Sequence, residues 1–293
     1  ARSHDPPTAR PRASPRARPQ RREMATVDDA AAAAEAPPSA GGPTATATTA
    51  ALGEGGAALP PTVHVSAHPL LVHKLTVLRK LQTSSHEFRR CVREVTFYLG
   101  YEASRHLSTA DHPIQSPLGP HVGKRLDQSV GIVPVLRAGL GMADSMLELL
   151  PNAEVHHIGM YRNTTTLKPV EYYNRLPKNR PCDVAFVLDP CIATGGTARA
   201  TVSILKKWGA GKIIILALVG SREGVEKLVQ AHPDVHVFLG DVDDTLSSAG
   251  MIVPGLGDAG DRLFGTPSLE AALSVSPLTS PAAGGGPGPP PGR

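Results

Sequence analysis

Apolar positions first recur at helical spacing between His68 and Leu81, and the pattern predicts a helix there. A second helix opens at Ser84, where Glu87 three residues on completes a capping box. It continues through Phe88, Val92, Val95 and Leu99. The period then changes. Val130–Leu136, Val155–Met160, Val184–Leu188 and Lys212–Val219 are short β-branched runs bounded by Gly, Pro or charge, and they read as strands. Val235–Leu239 adds another. Gly139–Leu150, Gly196–Trp208 and Arg222–Ala231 read as helices between or after them, the second stopped by Gly209. Strands alternating with helices predict an α/β fold: a mostly parallel sheet covered on both faces, behind a helical front part.

Composition limits how much of the chain shares that pattern. The 293 residues are 41% hydrophobic, with 29 Gly and 29 Pro, and most of that Gly and Pro excess sits at the two ends. Residues 1–61 are rich in Ala, Pro, Arg, Gly and Thr and lack aliphatic periodicity. Such a segment buries too little apolar area to offset its conformational entropy, so a disordered extension is expected there. A Gly/Pro-rich disordered tail is expected over 267–293, leaving a folded domain of 62–266. The net charge of +4 is inflated by arginines between Arg2 and Arg22, which argues against a nucleic-acid partner. No apolar run reaches the ~20 residues of a membrane span. Three cysteines in unrelated contexts, Cys91, Cys182 and Cys191, point to a reducing compartment, and metal-ligand spacing is absent. A cytoplasmic location is expected. The basic, acid-poor start would suit an organellar (for instance plastid) transit peptide, but Asp28, Asp29 and Glu35 after Met24 would not.

The most informative stretch runs from Val184 to Thr197. A buried strand ends in Asp189, and a short loop enters a helix through Thr194, Gly195, Gly196 and Thr197. Ligands of open parallel sheets bind beyond the carboxyl ends of strands. Two glycines let backbone approach an anion, and N–H groups at a helix start donate to phosphate. Asp189 would repel that anion but suits the hydroxyls of the sugar carrying it. Taken alone, the Gly-Gly pair is equally a tight strand-to-helix turn. No Lys-Ser/Thr follows the glycines, so the loop is not a Walker A.

This run resembles the PRPP-binding signature of type I phosphoribosyltransferases, in the Asp-Pro form of the uracil phosphoribosyltransferase branch. The resemblance covers 62–266, including His68-Pro-Leu and Tyr101 to Arg105. It implies a type I phosphoribosyltransferase-like sheet with a small hood and base-binding region. It implies PRPP binding by Asp189, Pro190, Cys191, Ile192, Ala193, Thr194, Gly195, Gly196 and Thr197. Arg137, at the end of Val133 to Leu136, corresponds to the pyrophosphate loop, and a fixed guanidinium there can grip a diphosphate through two parallel bonds. Arg162, in the polar stretch from Met160 to Tyr173 that resembles the family's flexible hood, is implied in the same role. Tyr172 and Tyr173 are equally readable as packing residues.

Gly250 to Thr266 reads as an irregular Gly-rich segment whose backbone could match the acceptor–donor–acceptor edge of uracil. Its resemblance to the family's uracil loop implies base binding at Ile252, Gly257, Asp258 and Ala259, with Asp258 also near PRPP. Met251 stands where the family usually has tyrosine, and Ser247-Ser248-Ala249 replaces a polar, charged run. The implied activity converts uracil and PRPP to UMP and pyrophosphate in pyrimidine salvage. Arg137, Arg162 and Asp258 are its catalytic candidates. Mg²⁺ is the implied cofactor, carried mainly by PRPP, with no dedicated protein metal ligands. Expected partners are the two small substrates and further copies of the chain. Two alternatives stand at this point: transfer to another base, and a catalytically weak regulatory protein of the same fold that binds UMP or PRPP.

Overall fold

The computed structural model describes residues 58–163 and 169–267. The expected tail, all but its first residue, and the expected extension as far as residue 57 lie outside the described residues, as does part of the hood, 164–168. The helical front part opens with a short strand β1 (Val63–Val65), followed by α1 (Pro69–Arg79) and α2 (Ser85–Ala103). Ser84 caps α2 as the sequence predicts, its hydroxyl accepting from the Glu87 N–H at 3.2 Å. A hairpin then departs from the sheet, β2 (Thr109–Ser116) and β3 (Gly119–Leu126).

The α/β body begins with β4 (Val130–Leu136), α3 (Leu140–Leu149), β5 (Glu154–Val155), β6 (Ile158–Arg162) and β7 (Pro169–Asn174). It continues with β8 (Val184–Leu188), β9 (Cys191–Ile192), α4 (Gly196–Trp208), β10 (Lys212–Ser221), α5 (Arg222–Ala231) and β11 (His236–Asp243). β12 (Thr245–Leu246), β13 (Ile252–Val253) and α6 (Ala259–Phe264) close the described chain. The main sheet runs β1-β11-β10-β8-β4-β6-β7, with β5 beside β4 and β9 beside β10. Its pairings are parallel except β6 with β7.

Period-two alternation on buried strands explains the layering. Ile214, Leu216 and Leu218 of β10 share one core with Leu75 of α1, Phe88 of α2 and Met146 of α3. Ile213, Ile215 and Ala217 face the other way, against Val202 and Leu205 of α4 and Leu228 of α5. Two corrections to the sequence reading follow. Residues 169–174 form an antiparallel strand on β6, because Val170 and Glu171 find backbone partners in Tyr161 and Met160. The stretch 250–266 is not wholly irregular either. Leu246 and Ile252 pair to make β12–β13, and Asp258 caps α6 by accepting from the Asp261 N–H at 2.9 Å.

Candidate active site

The parallel strands β4 and β8 are neighbours in register, Pro134 opposite Leu188. The residues that follow them therefore emerge side by side: Arg137 after β4, Asp189 after β8. A crevice of about 210 Å³ opens between them, walled by Arg137, Ala138, Met160, Asp189 and the turn Cys191 to Ala198. The residues singled out from the sequence that share this one wall are Arg137, Asp189 and the run Cys191, Ile192, Ala193, Thr194, Gly195, Gly196 and Thr197. Pro190 is not on it. It is buried against the sheet, its carbonyl accepting from Leu218 N–H at 2.9 Å and Val219 N–H at 3.2 Å.

The turn has a reason for its glycines. Gly195, the N-cap of α4, has φ +73°, and a Cβ there would lie 2.4 Å from the Gly224 carbonyl oxygen. The α5 N-terminus packs directly behind the turn: Ser221 Oγ donates to the Ala193 carbonyl and accepts from Gly224 N–H. The turn is thus set by its neighbours before any ligand arrives. Across the opening, the β6–β7 ribbon approaches α4: Pro169 Cδ is 3.6 Å from where a Gly196 Cβ would stand. Arg162 ends β6, opposite Pro169. Tyr172 and Tyr173 pack over Gly159, and Tyr172 also meets the Tyr161 ring at 6.2 Å, which favours their packing role.

Asp189 is half-buried at the base of the crevice. Loss of water pushes its carboxyl up to about 7, against a weak opposing contact from the Cys191 N–H at 3.5 Å. The Cys191 thiol is driven far up by burial first, then by Asp189, Asp258 and Asp243. Those three carboxylates therefore all act electrostatically on the thiol, and of them Asp189 lines the crevice. A ligand that donates hydroxyl protons to Asp189 would favour its ionised form.

The Gly-rich segment 250–266 borders this crevice. Arg137 Nη2 pairs with Asp261 Oδ1 at 3.1 Å, and a Cβ on Gly260 would lie 3.2 Å from Asp258 Oδ1 and 3.5 Å from Arg137 Nη2. Gly257 has φ +71° and Ala259 is the first residue of α6. The Ile252 side chain turns into the core beside Leu256 and Ala259, so only its backbone is available to a base. Two arginines hold this segment, and sequence reading missed both. Arg262 donates to the carbonyls of Leu78, Lys80 and Leu256, its guanidinium lying 4.3 Å from the Phe88 ring centroid. Arg79 donates to Asp241, Asp243 and the Gly255 carbonyl. No local spacing links Arg79 to partners more than 160 positions away.

Comparison with known proteins agrees with this arrangement. The uracil phosphoribosyltransferase family model matches residues 65–266. A uracil phosphoribosyltransferase of Roseiflexus sp. (strain RS-1) is 52% identical over 204 residues, 70% of this chain and 98% of that protein. One from Streptococcus pyogenes serotype M5 (strain Manfredo) is 51% identical over 203 residues, 69% of this chain and 97% of its own. Among solved structures, the AQ2163 protein of Aquifex aeolicus superposes with a TM-score of 0.67 at 33% identity, over 70% of this chain and 99% of that one. The sheet order, the crevice beyond β4 and β8 and these matches together make the chain a member of the uracil phosphoribosyltransferase family.

Proposed function

We propose that this crevice binds PRPP and that the neighbouring segment 257–259 presents uracil to it, so that the enzyme forms UMP and releases pyrophosphate. The observation that carries the reading is the meeting of Arg137, Asp189 and the Thr194–Thr197 turn on one wall. The turn supplies N–H and hydroxyl donors for the 5-phosphate. Asp189, one strand-end away, accepts from the ribose hydroxyls, and Arg137 grips the diphosphate. To do so Arg137 exchanges its Asp261 partner for the ligand, a small loss since the arginine side chain is 54% exposed.

Mg²⁺ fits this donor set in one way. Among the described residues lining the crevice, Asp189 is the carboxylate, accompanied by hydroxyls. That is too few charged oxygens for an all-protein octahedral cage. It suits a hydrated ion that PRPP would carry in, with the turn, Asp189 and Arg137 placed to hold PRPP itself. When bound, the ion neutralises diphosphate charge.

In the reaction the bond from ribose C1 to the diphosphate oxygen breaks, the electron pair leaving with pyrophosphate, and uracil N1 bonds to C1. The N1 proton passes to pyrophosphate or solvent. Arg137, once it has left Asp261 for the ligand, and Arg162 stabilise the growing negative charge on the departing diphosphate. Asp258 is tied to α6 through the Asp261 N–H, so it holds the 257–259 backbone and steers the base. Backbone groups there match the edge of uracil. Cytosine, with an amino group at position 4 and no N3 proton, would leave them unpaired.

A panel of bases with PRPP and Mg²⁺ tests the assignment. Uracil is expected to be converted at least ~10⁴-fold more efficiently than cytosine, the scale at which hydrogen-bonding sites discriminate. Orotate and hypoxanthine should remain unchanged. Comparable turnover of any of them would reject uracil specificity.

A further inference from the structure

Three imidazoles meet far from the crevice, and the reaction has no use for them. His64 is the middle residue of edge strand β1, His106 ends the single 3-10 turn Ser104–His106 after α2, and His236 opens β11 at its amino end. One ring nitrogen from each lies within 4.8 Å of the other two. Among the described residues no other trio of His, Cys, Asp or Glu side chains is so gathered. Nothing in the sequence announced it, since His64 and His236 are 172 positions apart. Register explains the meeting of two of them: Val63 pairs with Val237, so the strands carry their neighbours His64 and His236 to one end.

We propose that His64, His106 and His236 form a binding site for a zinc-class divalent transition-metal ion, with a water molecule as the fourth ligand.

Distances support it. His64 Nε2 and His236 Nδ1 are 3.4 Å apart. Two nitrogens bound to one tetrahedral zinc at 2.0–2.1 Å are separated by about 3.3–3.4 Å. That pair already has the spacing a shared ion requires, and on binding it would exchange its mutual hydrogen bond for the metal, with His106 drawn in from within 4.8 Å. The rings are also held. Phe238 stacks on His64 at 4.4 Å and 23°, and His106 packs on His236 at 4.2 Å. Imidazole is a borderline donor that selects Zn²⁺, Cu²⁺, Ni²⁺ or Co²⁺ over Mg²⁺, so the ion carried by PRPP would not compete.

The surroundings keep the ligands in the form a metal requires. Burial is the first cause that depresses all three imidazoles, His106 to about 4, and each is lowered further by its neighbours. Neutral rings present lone pairs at physiological pH. Arg105 and Lys212 are nearby cations that oppose a metal, with Glu102 acting in the other direction on His64. The Lys212 ammonium donates to the His106 carbonyl at 3.3 Å. The ion would tie β1, whose only sheet partner among the described residues is β11, to β11 and to the end of α2. Its role would be structural, adding its binding free energy to folding.

The test uses the whole chain, freed of metal by a chelator and titrated with zinc sulfate against a chromophoric competitor. One equivalent should bind, and zinc at a hundred times Kd should raise the melting temperature by roughly 5–10 °C. His64→Asn, His106→Asn and His236→Asn should each weaken binding by about 100-fold or more while uracil turnover persists. Zinc-edge X-ray absorption on the unsubstituted protein, which needs no variant, should show three imidazole nitrogens at ~2.0 Å. Absence of stoichiometric binding, equal binding by the triple Asn variant, or a first shell of sulfur or of oxygen alone would overturn the proposal.

Discussion

Arg79 grips Asp243 with both ends of its guanidinium, Nη1 to Oδ2 and Nη2 to Oδ1, each at 2.9 Å. The same Nη1 reaches the Gly255 carbonyl at 3.1 Å, and Gly255 N–H donates back to Asp243 Oδ2 at 3.1 Å. The pair therefore fixes both backbone groups of a turn two residues before Gly257. Asp243 is nearly buried, its side chain 7% exposed, so removing its charge leaves a desolvated arginine behind. Asp243→Asn is expected to raise the KM for uracil by about 10-fold or more while the KM for PRPP changes little. Steady-state kinetics with each substrate varied in turn would check this. Equal effects on both would mean that the pair only supports the fold.

Asp189 links stability to pH in a defined direction. Its folded value of about 7 lies above the ordinary 3.8, so between those values the folded chain keeps a proton that the unfolded chain has lost. Stability from this group therefore declines as pH rises from about 4 to about 7. Asp189→Asn removes the buried charge and should raise the ligand-free melting temperature at pH 8 by about 2–4 °C, a gain of ~1 kcal/mol. The same variant should bind PRPP poorly. Wild-type PRPP affinity should increase as pH rises toward 7 and then level, because only the carboxylate accepts two ribose hydroxyl protons. In the variant only the part that comes from the phosphates of PRPP itself, which titrate near pH ~6, should remain.

Gly195→Ala tests the shape of the turn. The added methyl would need φ near +73° and would sit 2.4 Å from a backbone oxygen of α5, so either the turn or the α5 start must move. We expect a loss of about 1–3 kcal/mol in stability and of at least ~100-fold in kcat/KM for PRPP. Chemical denaturation and initial-rate kinetics on the same preparation separate the two effects.

Arg137→Lys keeps the charge and loses the fork. A lysine can make one contact where the guanidinium makes two parallel ones. A fall in kcat of ~10²–10³-fold is expected, the usual cost of one lost transition-state donor. Retention of full kcat would leave Arg137 with the Asp261 ion pair as its sole role.

The sheet was legible because its strands are buried on both faces. Val130–Leu136 and Val184–Leu188 are continuous apolar runs, and their observed limits match the pattern. α4 and α5 were bounded by Gly196, Gly209 and the chain's change of period, and those limits also hold. The hairpin β2–β3 was invisible for the opposite reason. It is exposed on both faces, carries Pro113 and Pro120, and so shows no alternation of apolar and polar residues. On the wall of the crevice, Asp189 and the turn could be read because neighbours in sequence remain neighbours in space. Arg79, Asp243, Asp261 and the histidine trio are brought together by long-range packing, which no local spacing records.

Calorimetric titration of PRPP with Mg²⁺ into the full chain is the most direct test of the crevice as the sugar-phosphate site. A single saturable heat, abolished or weakened by about 100-fold in Asp189→Asn and in Arg137→Ala, is the predicted result. No heat from the folded wild-type protein, or unchanged binding in both variants, would contradict it.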